Sequence, residues 1–144
     1  MNKRILLIED DPFHRESIES RIRAKWKDIN FEFEPIANEK AFGQRFNELA
    51  ARQFDLVIID QMIPYTSDED ESDNRGALDL DAFRGGTRCY ERLRKEPPTK
   101  AVPVVFLTIL DQASVPEGVA YVKKTGDAKM VGLLDIIAKA LALP

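Results

Sequence analysis

Phe54-Asp55-Leu56-Val57-Ile58-Ile59-Asp60-Gln61-Met62-Ile63-Pro64 is the stretch that decides the fold. Leu56 to Ile59 are apolar without a break, three of the four are β-branched, and they run straight into Asp60. Such a run, with turn residues behind it, reads as a strand covered on both faces, as in a parallel sheet. Pro64 has no amide proton for a ladder, so the strand has ended by there. Asp60 therefore stands at the C-terminal end of a buried strand, the edge at which open α/β sheets bind ligands. Alone, a strand-end aspartate is more simply a turn residue or a helix cap. Its company elsewhere in the chain changes that reading.

Upstream, Ile5-Leu6-Leu7-Ile8 is a second continuous apolar run, and it ends in Glu9-Asp10-Asp11 with Pro12 behind. Asp11 followed by Pro12 is a good helix start, a capping carboxylate and then proline at the first helical position. Phe13, Ile18, Ile22 and Trp26 form the apolar stripe of the predicted helix. His14, the only histidine, has polar flanks and no partner histidine, which predicts a solvated residue without a role. Residues 29–37 alternate imperfectly and contain Pro35, as expected of a half-buried edge strand. Asn38 then caps a helix running to about Arg52, with Ala41, Phe42, Phe46, Leu49 and Ala50 facing inward.

Downstream, residues 65–84 lack hydrophobic periodicity and carry seven acids against Arg75 and Arg84, a net charge of −5. This reads as a long exposed acidic loop, with partner contact as a lesser possibility. No frame in it has calcium-loop spacing. Gly85-Gly86 opens a helix bearing Cys89, Tyr90 and Leu93 on one face, and Pro97-Pro98 stops it. Val102 to Thr108 is a third buried strand ending in a polar residue. Val119 to Lys123 is a shorter one, followed by Lys124, and Met130 to Leu141 marks an amphipathic C-terminal helix. The order β-α-β-α-β-α-β-β-α predicts an α/β, doubly wound parallel sheet.

The 144 residues suit one domain with a sizeable core. A net charge of −4 gives no reason to expect direct nucleic-acid binding. No apolar run has membrane-spanning length, and no signal-peptide core precedes the first strand, so no membrane insertion and a cytoplasmic location are expected. The single cysteine, Cys89, excludes an intrachain disulfide and a cysteine-based zinc site.

Parallel strands joined by right-handed crossovers share one C-terminal edge, which collects Glu9, Asp10, Asp60, Thr108 and Lys124. Three carboxylates brought together repel unless a cation joins them, and a hard ion such as Mg²⁺ takes carboxylate oxygens. A lysine and a hydroxyl beside the cation would complete a cradle for a phosphoryl group.

Acid pair, single acid, hydroxyl and lysine on successive strand ends resemble the receiver domain of two-component response regulators, the CheY-like family. The resemblance covers Ile5 to Leu141 and rests on Glu9-Asp10 in LLIEDDP, Asp60 in LVIIDQMIP, Thr108 in VVFLT and Lys124 in YVKKT. It implies a single receiver domain over residues 1–144, with a five-stranded sheet in the order 2-1-3-4-5. It further implies that Asp60 accepts a phosphoryl group from a histidine kinase or histidine phosphotransferase. Mg²⁺ would be held by Glu9, Asp10, Asp60 and the backbone carbonyl of Met62. Lys124 would pair with a phosphoryl oxygen, and Thr108 and Tyr121 would form the switch to a downstream protein partner that the sequence does not name. Family spacing from Tyr121 selects Lys124 over Lys123. Such a chain is a phosphoacceptor that assists its own phosphorylation and dephosphorylation, not an enzyme in the turnover sense.

The chain departs from the family in several places. Thr125 replaces the usual proline, so no cis bond is expected there. The stretch from Ile109 to Gly118 is too short and too broken by Pro116 for a normal fourth crossover helix, which puts a standard dimer through that face in doubt. Met62 and Leu110 are apolar at positions that influence hydrolysis, implying slow self-dephosphorylation. A phosphorylation-independent interaction module on the same fold is the alternative. A phosphohydrolase is set aside because Met62 stands where its second acid would be.

Overall fold

The molecule, described from a computed structural model, is a parallel sheet with helices on both faces. Residues 1–66, 84–109, 115–124, 130 and 132–144 are described. Most of the acidic stretch, together with Leu110 and Thr125, lies outside them.

Strand β1 (Asn2–Ile8) leads into helix α1 (Pro12–Lys25), then β2 (Asn30–Ile36), α2 (Glu39–Ala51) and β3 (Leu56–Asp60). After the acidic stretch come α3 (Gly85–Lys95), β4 (Val104–Thr108), β5 (Ala120–Lys123) and α4 (Leu133–Leu141). The strand order is β2-β1-β3-β4-β5, with every neighbouring pair parallel. This is the predicted fold, including the edge position of β2. In the β4–β5 connection, neither Ile109 nor the described stretch 115–119 is helical, in keeping with the expected loss of a crossover helix.

Side-chain alternation along β1 builds two cores. Ile5 and Leu7 point to one face, where Ile18 and Ile22 of α1 and Leu133, Ile137 and Leu141 of α4 cover them. Leu6 and Ile8 point to the other, under Phe42, Phe46 and Leu49 of α2 and Cys89 and Leu93 of α3. All five residues of β3 are buried, which explains its unbroken apolar run. The caps are the predicted ones. Asp11 Oδ1 accepts from the Phe13 amide at 2.8 Å, and Asn38 Oδ1 from the Ala41 amide at 2.8 Å. Phe13 departs from expectation: it is 68% exposed and does not join the α1 stripe. It is the second helical residue, on the first turn of α1, ahead of the buried Ile18 and Ile22.

The N-terminus of α3 is pressed against the end of β3. The Gly86 amide donates to the Gln61 carbonyl at 3.1 Å. A Cβ added to Gly86 would lie 2.4 Å from the Asp60 carbonyl oxygen, and one on Gly85 2.6 Å from that of Ile63. The double glycine therefore does more than open a helix, because it lets two backbones meet.

Candidate functional site

The ends of β1, β3 and β5 bring three predicted residues into direct contact. Lys124 Nζ lies 2.8 Å from Asp60 Oδ2 and 3.2 Å from Glu9 Oε2, although the three are far apart in sequence. Glu9 is fully buried, Asp60 is 4% exposed and Lys124 8%. Burial this deep leaves charges tolerable only when paired. The lysine satisfies both acids.

The choice between adjacent lysines follows from the backbone. Lys123 is still within β5, in register with Thr108, and its side chain is exposed. The Lys124 amide closes the ladder onto the Thr108 carbonyl at 2.8 Å, and its side chain turns into the acid cluster. Thr108 ends β4 and is fully buried. Tyr121 pairs in register with Phe106 and is half-buried against the core on the α2–α3 side.

Asp60 Oδ1 accepts from the Met62 amide at 3.0 Å, so the turn role first considered for this residue is also present. That bond fixes one oxygen and leaves the other on Lys124. Met62 itself is half-buried just past the strand.

Asp10 is exposed beside this buried pair. Glu9, Asp10 and Asp60 each offer a carboxylate oxygen, all within 4.8 Å of one another. An all-oxygen donor set with one side open to solvent fits a hard divalent cation that keeps some of its water. Electrostatics show the same demand. Burial, then the nearby charge of Asp60, pushes the Glu9 carboxyl up to about 8, with Lys124 opposing. Burial and Asp60 also raise Asp10. Burial alone would depress the Lys124 ammonium, but attraction to Asp60 and Glu9 outweighs it and the net shift is upward.

A pH prediction follows for the cation-free protein. Folded Glu9 holds its proton up to about 8, whereas the unfolded chain releases it near the ordinary 4.5. Between those values the unfolded state binds fewer protons, so stability falls as pH rises. Metal-free melting temperatures should drop from pH 5 to pH 8.5, and Glu9→Gln should flatten that slope. A slope identical in wild type and variant would show that Glu9 titrates normally.

His14 corrects the sequence-based expectation of a solvated residue. Its side chain is 25% exposed, and its Nδ1 lies 3.8 Å from Glu9 Oε1 and 3.6 Å from Asp11 Oδ2. That nitrogen is buried with no hydrogen-bond partner. The clue was positional, since a side chain on the first helical turn leans back toward the N-terminus and so toward the strand end. Gln61 was also missed. It is buried, and its Nε2 donates to Thr87 Oγ1 on α3 at 2.8 Å.

No protein-family model and no curated relative matches the sequence. Solved structures do match in fold. The signal receiver domain of a signal transduction histidine kinase from Syntrophus aciditrophicus is 22% identical, with a TM-score of 0.66, over 97% of this chain and 90% of that one. Chemotaxis response regulator CheY4 of Vibrio cholerae is 14% identical, with a TM-score of 0.65, over 98% and 100%. The signal receiver domain of a DNA-binding response regulator from Colwellia psychrerythraea 34H is 18% identical, with a TM-score of 0.64, over 97% and 98%. The chain has the fold of CheY-like receiver domains.

Proposed function

We propose that this chain is a phosphoacceptor receiver: Asp60 takes a phosphoryl group in the presence of Mg²⁺, and the modified chain regulates a protein partner. The observation that carries the proposal is the contact of Lys124 with both Asp60 and Glu9 at the sheet edge. A buried lysine held there can neutralise a phosphoryl oxygen as well as a carboxylate. The cation, when bound by Glu9, Asp10 and Asp60 with the Met62 carbonyl, supplies electrostatic stabilisation of the transferring group. The chain's own part is to hold Asp60 Oδ1 on the Met62 amide and to present Oδ2 beside Lys124. Thr108 and Tyr121 are assigned the switch that follows transfer. The donor is a phosphohistidine on a histidine kinase or phosphotransferase.

Intact mass after incubation with Mg²⁺ and acetyl phosphate tests the proposal. One added phosphoryl group, absent when chelator is included, is the expected result. No adduct would favour an interaction module that works without phosphorylation.

Once formed, the adduct should be long-lived. Met62 is apolar and leaves no side-chain donor to orient an attacking water from that position, and Leu110 is its apolar counterpart in the sequence. We expect a phosphoryl half-life of minutes or longer, followed as decay of the phosphorylated mass after donor removal. Decay within seconds would show that another group orients the water.

A further inference from the structure

We propose that the cleft between α2 and α3 is the output surface of this chain, and that it receives a partner presenting carboxylates. This inference rests on the phosphoacceptor reading of Asp60 and adds where its state is read.

The path from the site to this face is short and stiff. Gly86 of α3 stands against the carbonyl of Asp60 with no room for even a methyl group. Its amide bonds the Gln61 carbonyl, and the Gln61 side chain bonds Thr87. Helix α2 is tied to the same loop, because the amides of Glu39 and Lys40 donate to the carbonyls of Pro64 and Tyr65 at 3.0 and 2.8 Å. The two helices are then clamped by a bidentate ion pair, Arg88 Nε and Nη2 to Glu39 at 2.8 and 2.7 Å. A shift of the Asp60 backbone on phosphorylation must move α3, and α3 carries α2 with it or slides past it. On the opposite side of the sheet edge, the described residues of the β4–β5 connection offer no helix to move.

Between α2 and α3 lies a cavity of about 370 Å³, bordered by Glu39, Lys40, Gln44, Tyr65, Arg88 and Arg92. Its rim holds Lys40, Arg88 and Arg92 against Glu39, with Arg88 already paired to that acid, on a chain whose net charge is −4. Helix α3 is itself basic, with Arg88, Arg92, Arg94 and Lys95 against Glu91. Arg92 is exposed, with its guanidinium 4.1 Å from the Phe46 ring centroid, which holds the charge at the cleft mouth. Such a surface complements carboxylates, and complementarity of this kind sets partner choice more than raw affinity.

Two measurements on the full chain test the proposal. Amide hydrogen exchange, with and without Mg²⁺ and acetyl phosphate, should change in peptides covering α2 and α3 and stay constant over α4. A fluorescein-labelled peptide of alternating glutamate and alanine should bind the phosphorylated chain about tenfold tighter than the unmodified one. Arg92→Glu should abolish that difference, whereas Lys139→Glu on α4 should preserve it. Exchange changes confined to β5 and α4, or peptide binding indifferent to phosphorylation, would overturn the inference while leaving Asp60 as the acceptor. Failure to gain a phosphoryl group in the parallel mass measurement would remove the underlying reading, and the inference with it.

Discussion

Asp60→Asn should abolish phosphoryl uptake entirely under conditions in which wild type gains one group. Asparagine has nearly the same shape and retains an oxygen for the Met62 amide, so the 3.0 Å bond that orders the turn should survive. What disappears is the nucleophile, since an amide oxygen does not form a stable acyl phosphate. The charge that attracts Lys124 Nζ and helps hold a cation goes as well. The variant should nonetheless fold, because removing one of three crowded carboxylates relieves repulsion. The charge of Asp60 is the second cause, after burial, of the raised Glu9 carboxyl, so Asp60→Asn should bring that group back toward its ordinary range. Intact mass reads the first effect and a pH series of melting curves reads the second. Wild-type levels of adduct on the variant would place the acceptor elsewhere.

Gly86→Ala should clash hardest among alanine substitutions at the described glycines. The new carbon would lie 2.4 Å from the Asp60 carbonyl oxygen and 2.8 Å from the Gln61 Cα. Both neighbours are backbone in or next to a fully buried strand, so no side chain can swing away to relieve the clash. Overpacking of this sort costs about 1–3 kcal/mol, or a melting temperature lower by roughly 2–4 °C for each kcal/mol in a domain near this size. Phosphoryl uptake should fall too, because α3 can withdraw only by moving the backbone that carries Asp60. Gly43→Ala is the control. It lies inside α2, where the nearest atom to an added Cβ is Arg92 Nη1 at 3.7 Å. Alanine there should stabilise by about 0.5–1 kcal/mol through helix propensity. Equal behaviour of the two variants in thermal melts would show that the α3–β3 contact is loose.

The parts of this molecule that could be read from the sequence share one property: each is dictated by a local pattern whose consequence is long-range. Unbroken apolar runs at Ile5–Ile8 and Leu56–Ile59 mean strands covered on both faces, and a parallel sheet then delivers their polar ends to one edge. That is enough to bring Glu9, Asp60 and Lys124 together. Alternation says only that one of Lys123 and Lys124 reaches the acids; the choice of Lys124 came from the resemblance, by its spacing from Tyr121. The missed features depend on distances that no pattern encodes. His14 looks like an ordinary helix-start residue until the first turn of α1 is set beside Glu9. The meeting of Gly86 with Asp60 joins backbones separated by the acidic stretch, and a glycine pair in sequence announces only a helix start. The Gln61–Thr87 bond depends on that same closeness. Phe13 was misjudged because helical periodicity does not say which turn of a helix finds a partner: Ile18 and Ile22 are covered and Phe13 is not.

The contact between the Gly86 and Asp60 backbones also governs what can be done to the chain between them. Its two ends are held together by the folded body, so the chain between them closes on anchors that are already fixed. The entropy of closing such a loop grows only with the logarithm of its length, about 0.6 kcal/mol for each doubling. A change of length or a fluorescent reporter inserted between residues 67 and 83 should therefore cost little in closure entropy. The fold should tolerate the graft, and a reporter seated there would be anchored at one end to the strand that carries the acceptor.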